Sequence, residues 1–151
     1  MALSRLVQAA GSGEIIGLDP TRLHDALDHG AYFWLDVQGP SEADLRVLED
    51  VFAFHALAIE DSLQWGQRPK LDEYDDFVFL VVYGWAPDRD GLVEVHCYYS
   101  PRFLVTLHRD EAPAFADVRS RATRVLARGE EPILVLHQVV DALVDSFGPP
   151  L

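Results

Sequence analysis

The chain has 151 residues, of which 49% are hydrophobic and 25% are charged, and Cys97 is its single cysteine. This length and composition fit one globular domain with one core, and they exclude a disulfide framework or a zinc cluster built on thiolates. The formal net charge of −13 repels nucleic acid and anionic lipid, so a polyanion is the least expected partner. On charge alone, an acidic solvent-exposed surface is the preferred interpretation.

No stretch of the sequence approaches the ~18 to 20 apolar residues that a membrane helix requires. The N-terminus also lacks the basic segment and apolar core of a signal peptide, and the lone cysteine gives no evidence of an oxidising compartment. We therefore expect this polypeptide to be soluble, in a cytosolic setting.

The first thirteen residues are small and weakly patterned, and we expect them to form a loose arm in front of one domain over residues 14–151. Asp19 followed by Pro20 is typical of a helix start, because Asp accepts hydrogen bonds from free amides and Pro has no amide to satisfy. A short edge strand is expected before this helix, over 14–18, and a largely buried strand after it, over 31–37.

The middle of the chain predicts two helices followed by a meander of strands. Ser41 and Asp44 have the spacing of a capping box, which predicts a helix start, and a second, short helix is expected over residues 56–63. Apolar runs separated by turn residues then predict four strands. These strands span residues 70–74, 77–85, 93–99 and 103–108. A meander of this kind makes the predicted sheet mixed rather than purely parallel.

Two further helices are expected at the C-terminal end of the chain. The first spans about 112–128 and has Gly129 as its stop signal. The second spans 132–147 and is predicted to be amphipathic. Its apolar stripe consists of Ile133, Leu136, Val140, Leu143, Val144 and Phe147.

Glu60 and Asp61 are adjacent carboxylates on the predicted helix over 56–63. Neighbouring residues on a helix point about 100° apart, so the two cannot form a cage by themselves, yet both can line a surface shared with another molecule. Mg2+ tolerates such a site, because it retains several waters and often takes only one or two protein carboxylates. Adjacent acids are more commonly solvated surface, so the pattern alone leaves both interpretations open.

Asp141 and Asp145 lie four residues apart and share one face of the last predicted helix. This spacing leaves a cation, a basic partner or a plain acidic face open, and the last is preferred for Asp145. The six histidines show no close His-x-x-x-His pair and have no thiolate partners, which disfavours zinc. Motifs for a nucleophile, a phosphate loop or a dinucleotide turn are absent, so we expect no enzyme.

The run from His55 to Tyr74 carries the strongest signal in the sequence. It places His-Ala-Leu-Ala-Ile-Glu-Asp before Gln-Arg-Pro-Lys, and Tyr-Asp-Asp follows. This order resembles the cytosolic domain of CorA-type divalent-metal transporters. The resemblance extends over most of the chain after residue 30. Ala56 replaces the usual proline, and His137 stands where the family often has tyrosine or another bulky residue; a helix start and a helix face tolerate both.

The resemblance implies an α/β fold, with a mixed β-sheet and helices on both of its faces. In the full-length transporter this domain would belong to a homopentamer and lie at the cytoplasmic face of the cell inner membrane. It also implies that Glu60, Asp61 and Asp141 match family positions that bind regulatory Mg2+ between neighbouring protomers. Bound metal would hold the closed state, and its loss would free the domains to move. The expected ligand is Mg2+, held weakly by this chain alone, with Co2+ and Zn2+ as alternatives.

The stalk and membrane helices of such a transporter are not in this chain, so we expect it to be mainly monomeric and unable to transport by itself. Two alternatives stay open: a zinc-transporting relative, and a free-standing acidic interaction module that senses no metal. A reading frame that continues beyond Leu151 with two apolar stretches of ~20 residues would favour the transporter.

Overall fold

The computed structural model describes residues 2–87 and 91–148. Within these residues, seven strands and five helices follow one another along the chain. They are β1 (Leu3–Gln8), β2 (Gly11–Ile16), α1 (Pro20–His29), β3 (Phe33–Gln38), α2 (Glu42–Phe52), α3 (Ala56–Ser62), β4 (Lys70–Glu73), β5 (Val78–Ala86), β6 (Gly91–Tyr99), β7 (Phe103–His108), α4 (Phe115–Ala127) and α5 (Ile133–Asp145).

The strands of the described residues form a single sheet in the order β2-β1-β3-β7-β6-β5-β4. Its two central strands, β3 and β7, are parallel, and every other neighbouring pair is antiparallel. The register of the parallel pair sets Asp36 beside Thr106 and Gln38 beside His108. The mixed sheet predicted from the strand pattern is thus confirmed.

Helices cover both faces of the sheet, because its central strands are apolar on both sides. On β3, Phe33 and Leu35 pack into a core that includes residues of α1, α2 and α3, whereas Trp34 between them packs into a second core with α4 and α5. This alternation follows from the two-residue period of a strand. The predicted α/β architecture is therefore confirmed.

The N-terminal residues form a hairpin rather than a loose arm. Strand β1 lies between β2 and β3, and β2 begins at Gly11, ahead of the edge strand predicted over 14–18. Leu6 and Val7 point to opposite faces of the sheet and are both buried. The prediction failed because this short strand has few apolar residues and is stabilised by backbone pairing on both sides, which leaves a weak sequence pattern.

The side chains that predicted the starts of α1 and α2 form the expected hydrogen bonds. The Asp19 carboxylate accepts a hydrogen bond of 3.0 Å from the amide of Thr21 at the start of α1. At α2, the Ser41 hydroxyl accepts from the amide of Asp44, and the Asp44 carboxylate accepts from the amide of Ser41 at 2.9 Å. Both helix starts predicted from sequence are thereby confirmed.

Helix α5 buries a side that shares only Leu143 with its predicted apolar stripe. Its buried residues are Val135, Val139, Ala142 and Leu143. Three stripe residues are instead largely exposed, at 47% for Ile133, 59% for Val144 and 52% for Phe147. The helix is apolar on more than one side, so periodicity could not identify the side that packs on the sheet. Even so, in the described part of the chain no helix combines the length and apolar character needed to cross a membrane.

Candidate metal site

Helix α3 presents Glu60 and Asp61 on the surface because its other side is anchored to the sheet. His55 caps the helix through Nδ1, which accepts from the amide of Leu57 at 3.1 Å, as expected for a residue at a helix start. The Ser62 hydroxyl lies against the Tyr98 hydroxyl of β6. Glu60 is exposed and Asp61 is half-buried.

Asp61 already holds a cationic partner within the same chain. Its Oδ2 lies 2.9 Å from Nζ of Lys70, and the same nitrogen lies 3.0 Å from Oδ2 of Asp72. The hydrogen bond to Asp61, and secondarily the one to Asp72, raises the pKa of Lys70 above its ordinary value. The ammonium group is therefore charged and bridges two carboxylates from α3 and β4.

The turn between α3 and β4 is fixed at both ends. Gln67 donates from Nε2 to the backbone carbonyl of Asp61 at 2.8 Å, which ties the turn to the end of α3. On the other side, the Glu94 carboxylate of β6 accepts from the amide of Gly66 at 2.6 Å. Gly66 has a φ of 84°, a left-handed conformation that favours glycine. These contacts place Lys70, the first residue of β4, beside Asp61.

Trp65 lies in the turn between α3 and β4 and is half-exposed. Its ring stacks on the buried ring of His96 at a centroid distance of 4.2 Å, and the Arg109 guanidinium lies 5.1 Å from the indole. Burial lowers the pKa of His96 below its ordinary value, although Glu94 partly offsets this effect. The neutral ring donates from Nε2 to Glu94 at 2.6 Å.

The third predicted metal-site residue, Asp141, lies on the other side of the molecule. It is exposed on α5, in a groove of about 340 Å³. The remaining lining residues are Ile133, Leu136, His137, Val140 and Val144. Because α3 and α5 cover opposite faces of the sheet, the structure keeps Glu60 and Asp61 together but does not bring Asp141 to them.

A complete metal site is not formed by one copy of the described residues. Across residues 2–87 and 91–148, no group of three or more histidine, cysteine or acidic side chains is arranged to hold an ion. Cys97 is buried, and burial raises the pKa of its thiol to about 12, so it offers no thiolate. The three predicted ligands therefore lie on two separate surfaces, with Glu60 and Asp61 on α3 and Asp141 on α5.

Lys70 and Asp72 are the site residues that sequence reasoning missed. The Gln-Arg-Pro-Lys turn was recognised as a motif, but its lysine was not assigned a partner. A usable signal was present, because residues two apart on a strand point to the same face, and Lys70 and Asp72 are so placed on β4. Nothing in the sequence indicated that Asp61 would face the same point.

The chain matches a family model described as CorA-like Mg2+ transporter protein over residues 29–151. It is also 38% identical over 122 residues to a protein of Bacillus subtilis (strain 168) named "Putative metal ion transporter YfjQ". That match covers 79% of this chain and 38% of the relative, so the chain spans less than half of the relative's length.

Two solved structures share the fold. The complete CorA magnesium transporter from Methanocaldococcus jannaschii matches with a TM-score of 0.67 and 14% identity, over 97% of this chain and 45% of that one. The ZntB cytoplasmic domain from Vibrio parahaemolyticus RIMD 2210633 matches with a TM-score of 0.63 and 13% identity, over 95% and 58%. At these identities the structures establish the fold alone. The family match extends over most of the sequence, and the chain belongs to the CorA-like Mg2+ transporter protein family.

Proposed function

We propose that this chain is the cytosolic regulatory domain of a CorA-like divalent metal ion transporter, at the cytoplasmic face of the cell inner membrane. In this proposal Mg2+ binds between identical subunits of a homopentamer, through Glu60 and Asp61 of one protomer and Asp141 of the next. Bound metal holds the closed state, and loss of metal releases the domains. Co2+ shares the oxygen ligands. The role is in ion transport rather than catalysis.

The observation that carries this proposal is the position of the carboxylates. Glu60 and Asp141 are both exposed, on helices that cover opposite faces of one sheet. Such residues cannot share an ion within one chain. A head-to-tail neighbour could bring α3 of one copy to α5 of the next, which is the contact that generates a closed ring. A shared site of this kind would couple metal occupancy to the arrangement of subunits.

Binding to one isolated copy is expected to be weak. Each surface alone offers one or two carboxylates, and Mg2+ is seldom held tightly by so few protein ligands. We expect dissociation constants on the order of millimolar for the 151-residue chain. Glu60→Ala and Asp61→Ala should both weaken binding. Because Glu60 is exposed and the ion pair of Asp61 with Lys70 is partly exposed, each should leave the free energy of unfolding within about 0.5 kcal/mol.

The shared site can be tested by mixing two variants. Asp61→Asn and Asp141→Asn each remove a ligand from every site, so neither alone should associate when MgCl2 is added at constant ionic strength. An equal mixture restores one intact interface, between unaltered α3 of one variant and unaltered α5 of the other. Sedimentation velocity should therefore show Mg2+-dependent dimers in the mixture of the two variants, and not in either variant alone.

Asp145→Asn is the matched control, because Asp145 is exposed on the same helix as Asp141 and its substitution removes the same charge. The Asp145→Asn variant should associate on addition of MgCl2 as the unaltered chain does. Titration calorimetry with circular dichroism on the same samples separates lost binding from lost folding. Micromolar binding that neither Asp61→Asn nor Glu60→Gln changes would place the ion elsewhere and overturn the proposal.

A zinc-transporting relative is the second candidate, and it is supported by a histidine beside Asp141 in the α5 groove. His137 lies in the α5 groove with Asp141 and could supply a nitrogen ligand, which Zn2+ binds more readily than Mg2+ does. His137→Asn separates the candidates: it should weaken Zn2+ binding and leave Mg2+ binding unchanged if zinc is the ligand. A chain that binds neither ion would instead be an acidic interaction module.

A further inference from the structure

Lys70 occupies the position in which a cation would contact Asp61. Its ammonium nitrogen lies 2.9 Å from an Asp61 oxygen and 3.0 Å from an Asp72 oxygen. It also lies 5.6 Å from the centroid of the Phe79 ring, whose face attracts cations. Groups from α3, β4 and β5 therefore converge on a single positive charge that belongs to the chain itself.

An ammonium group and a metal ion cannot use Asp61 independently. Both take the lone pairs of the same carboxylate oxygens, and two cations a few ångströms apart repel each other. A metal ion that approaches Asp61 must displace Lys70 or bind against its charge. The ion pair is thus a competitor built into the surface that carries Glu60 and Asp61.

We propose that Lys70 is a tethered cation that competes with Mg2+ for Asp61, and that metal binding releases its ammonium group from Asp61 to Asp72 alone. This inference rests on the proposed metal site. It identifies the residue that raises the Mg2+ concentration at which the site fills, and it adds a position outside the three predicted carboxylates.

The local geometry allows such an exchange. The side chains of Lys70 and Asp61 are both about one-third exposed, at 32% and 31%, so the ammonium group can reach water when it leaves. Asp72 lies on the same strand and keeps one bond to Lys70 after the bond to Asp61 breaks. Partly exposed ion pairs are weak, so an incoming divalent ion can replace one of them.

Lys70→Gln tests the competition directly. It removes the competing charge and should tighten Mg2+ binding to the 151-residue chain by roughly 3- to 10-fold, the effect of one unit charge near a partly exposed site. Arg68→Gln is the matched control, because Arg68 lies in the same turn and is exposed, and the change in net charge is the same. It should alter binding less than 2-fold, as expected for a screened charge. Lys70→Arg, which keeps the charge, should not tighten binding.

A double-mutant cycle shows whether the effect passes through Asp61. In the Asp61→Asn background, Lys70→Gln should leave Mg2+ affinity unchanged, because the contested carboxylate is gone. A second measurement needs no change at Lys70: the NMR signal of its side-chain ammonium should shift on addition of MgCl2 in the unaltered chain. The same signal should not respond in Asp61→Asn.

An error in the competition by Lys70 and an error in the metal site would give different results. If Asp61→Asn weakens Mg2+ binding but Lys70→Gln does not strengthen it, the site stands and the competition is overturned. Weaker binding in Lys70→Gln also overturns the competition, since the lysine would then position the carboxylates. If neither Asp61→Asn nor Glu60→Gln affects binding, the metal site itself is wrong. Circular dichroism of each variant confirms that the compared chains are folded.

Discussion

Asp36 and His108 form a buried ion pair across the two parallel central strands, with 2.8 Å between Oδ1 and Nε2. The Thr106 hydroxyl donates to the same carboxylate oxygen at 2.7 Å. The other oxygen of Asp36 has no hydrogen-bond partner among the described residues, but the guanidinium groups of Arg5 and Arg119 lie 3.8 and 3.9 Å away. A buried carboxylate is tolerated here because cations surround it.

The pKa values of Asp36 and His108 are shifted in the directions expected for an ion pair. Burial by itself would lower the pKa of His108, but Asp36 outweighs it and raises the pKa above 6.5. Burial would likewise raise the pKa of Asp36, yet His108, Thr106 and Arg119 outweigh it and hold the pKa below its ordinary value. Both shifts favour the charged forms of the two groups, as an ion pair requires.

This pair predicts a loss of stability on the alkaline side. A histidine with a raised folded pKa contributes fully below its unfolded pKa of about 6.5, and the contribution disappears as the pH rises through the folded value. The Asp36 contribution behaves in the opposite sense and is lost as the pH falls below about 4. The difference in unfolding free energy between the unaltered chain and His108→Gln should therefore shrink from pH 6 to pH 9, measured by urea unfolding.

His96 provides the control for this prediction. Its folded pKa is lowered, so its contribution is present above about pH 6.5 and is lost as the pH falls. His96→Gln should therefore change the acidic side of the stability profile and not the alkaline side. A His108→Gln profile parallel to that of the unaltered chain would mean that the pair is not ionised in the folded state.

Trp34 should be among the most costly residues to truncate. It is fully buried, packs edge-to-face against Phe115, and donates from Nε1 to the Thr106 hydroxyl at 2.9 Å. Trp34→Ala should lower the free energy of unfolding by roughly 3 to 5 kcal/mol, and Trp34→Phe, which keeps an aromatic ring, should cost less. Denaturant unfolding measures both, and a loss under about 1 kcal/mol for the alanine variant would contradict the packing described.

Gly84 lies where β5 packs closely against α5. A Cβ atom at this position would lie 2.7 Å from Cδ2 of the buried Leu143 and 3.2 Å from the Ser146 hydroxyl. Gly84→Ala should therefore destabilise the domain by roughly 1 to 3 kcal/mol through overpacking. In a Leu143→Ala background the same substitution should cost less, because the clashing atom is absent. Equal costs in the two backgrounds, measured by urea unfolding, would show that the two residues do not collide.

The isolated chain should be mainly monomeric when divalent cations are removed. The exposed acids of α3 and α5 repel a second copy when no cation bridges them. Sedimentation velocity in EDTA should give one species of monomer mass. A stable pentamer under these conditions would contradict the prediction. A dimer abolished by Val144→Asp would instead assign association to the exposed apolar side of α5.

Local signals in the sequence determined most of the helices, strands and turns. Asp19 with Pro20, and Ser41 with Asp44, predict helix starts because their hydrogen bonds reach only two or three residues along the chain. The buried run that contains Trp34 predicts a central strand for a similarly local reason, since strands covered on both faces are apolar throughout. The His55-to-Tyr74 motif indicated the family.

Tertiary structure alone decided which surfaces meet. The hairpin formed by β1 and β2 depends on pairing with β3, and the buried side of α5 depends on its contact with β5. The distance between Asp61 and Lys70, and the separation of Asp61 from Asp141, likewise follow from how α3, β4 and α5 pack on the sheet. Such contacts join residues that are distant in sequence, and their energies depend on burial that only the assembled core creates.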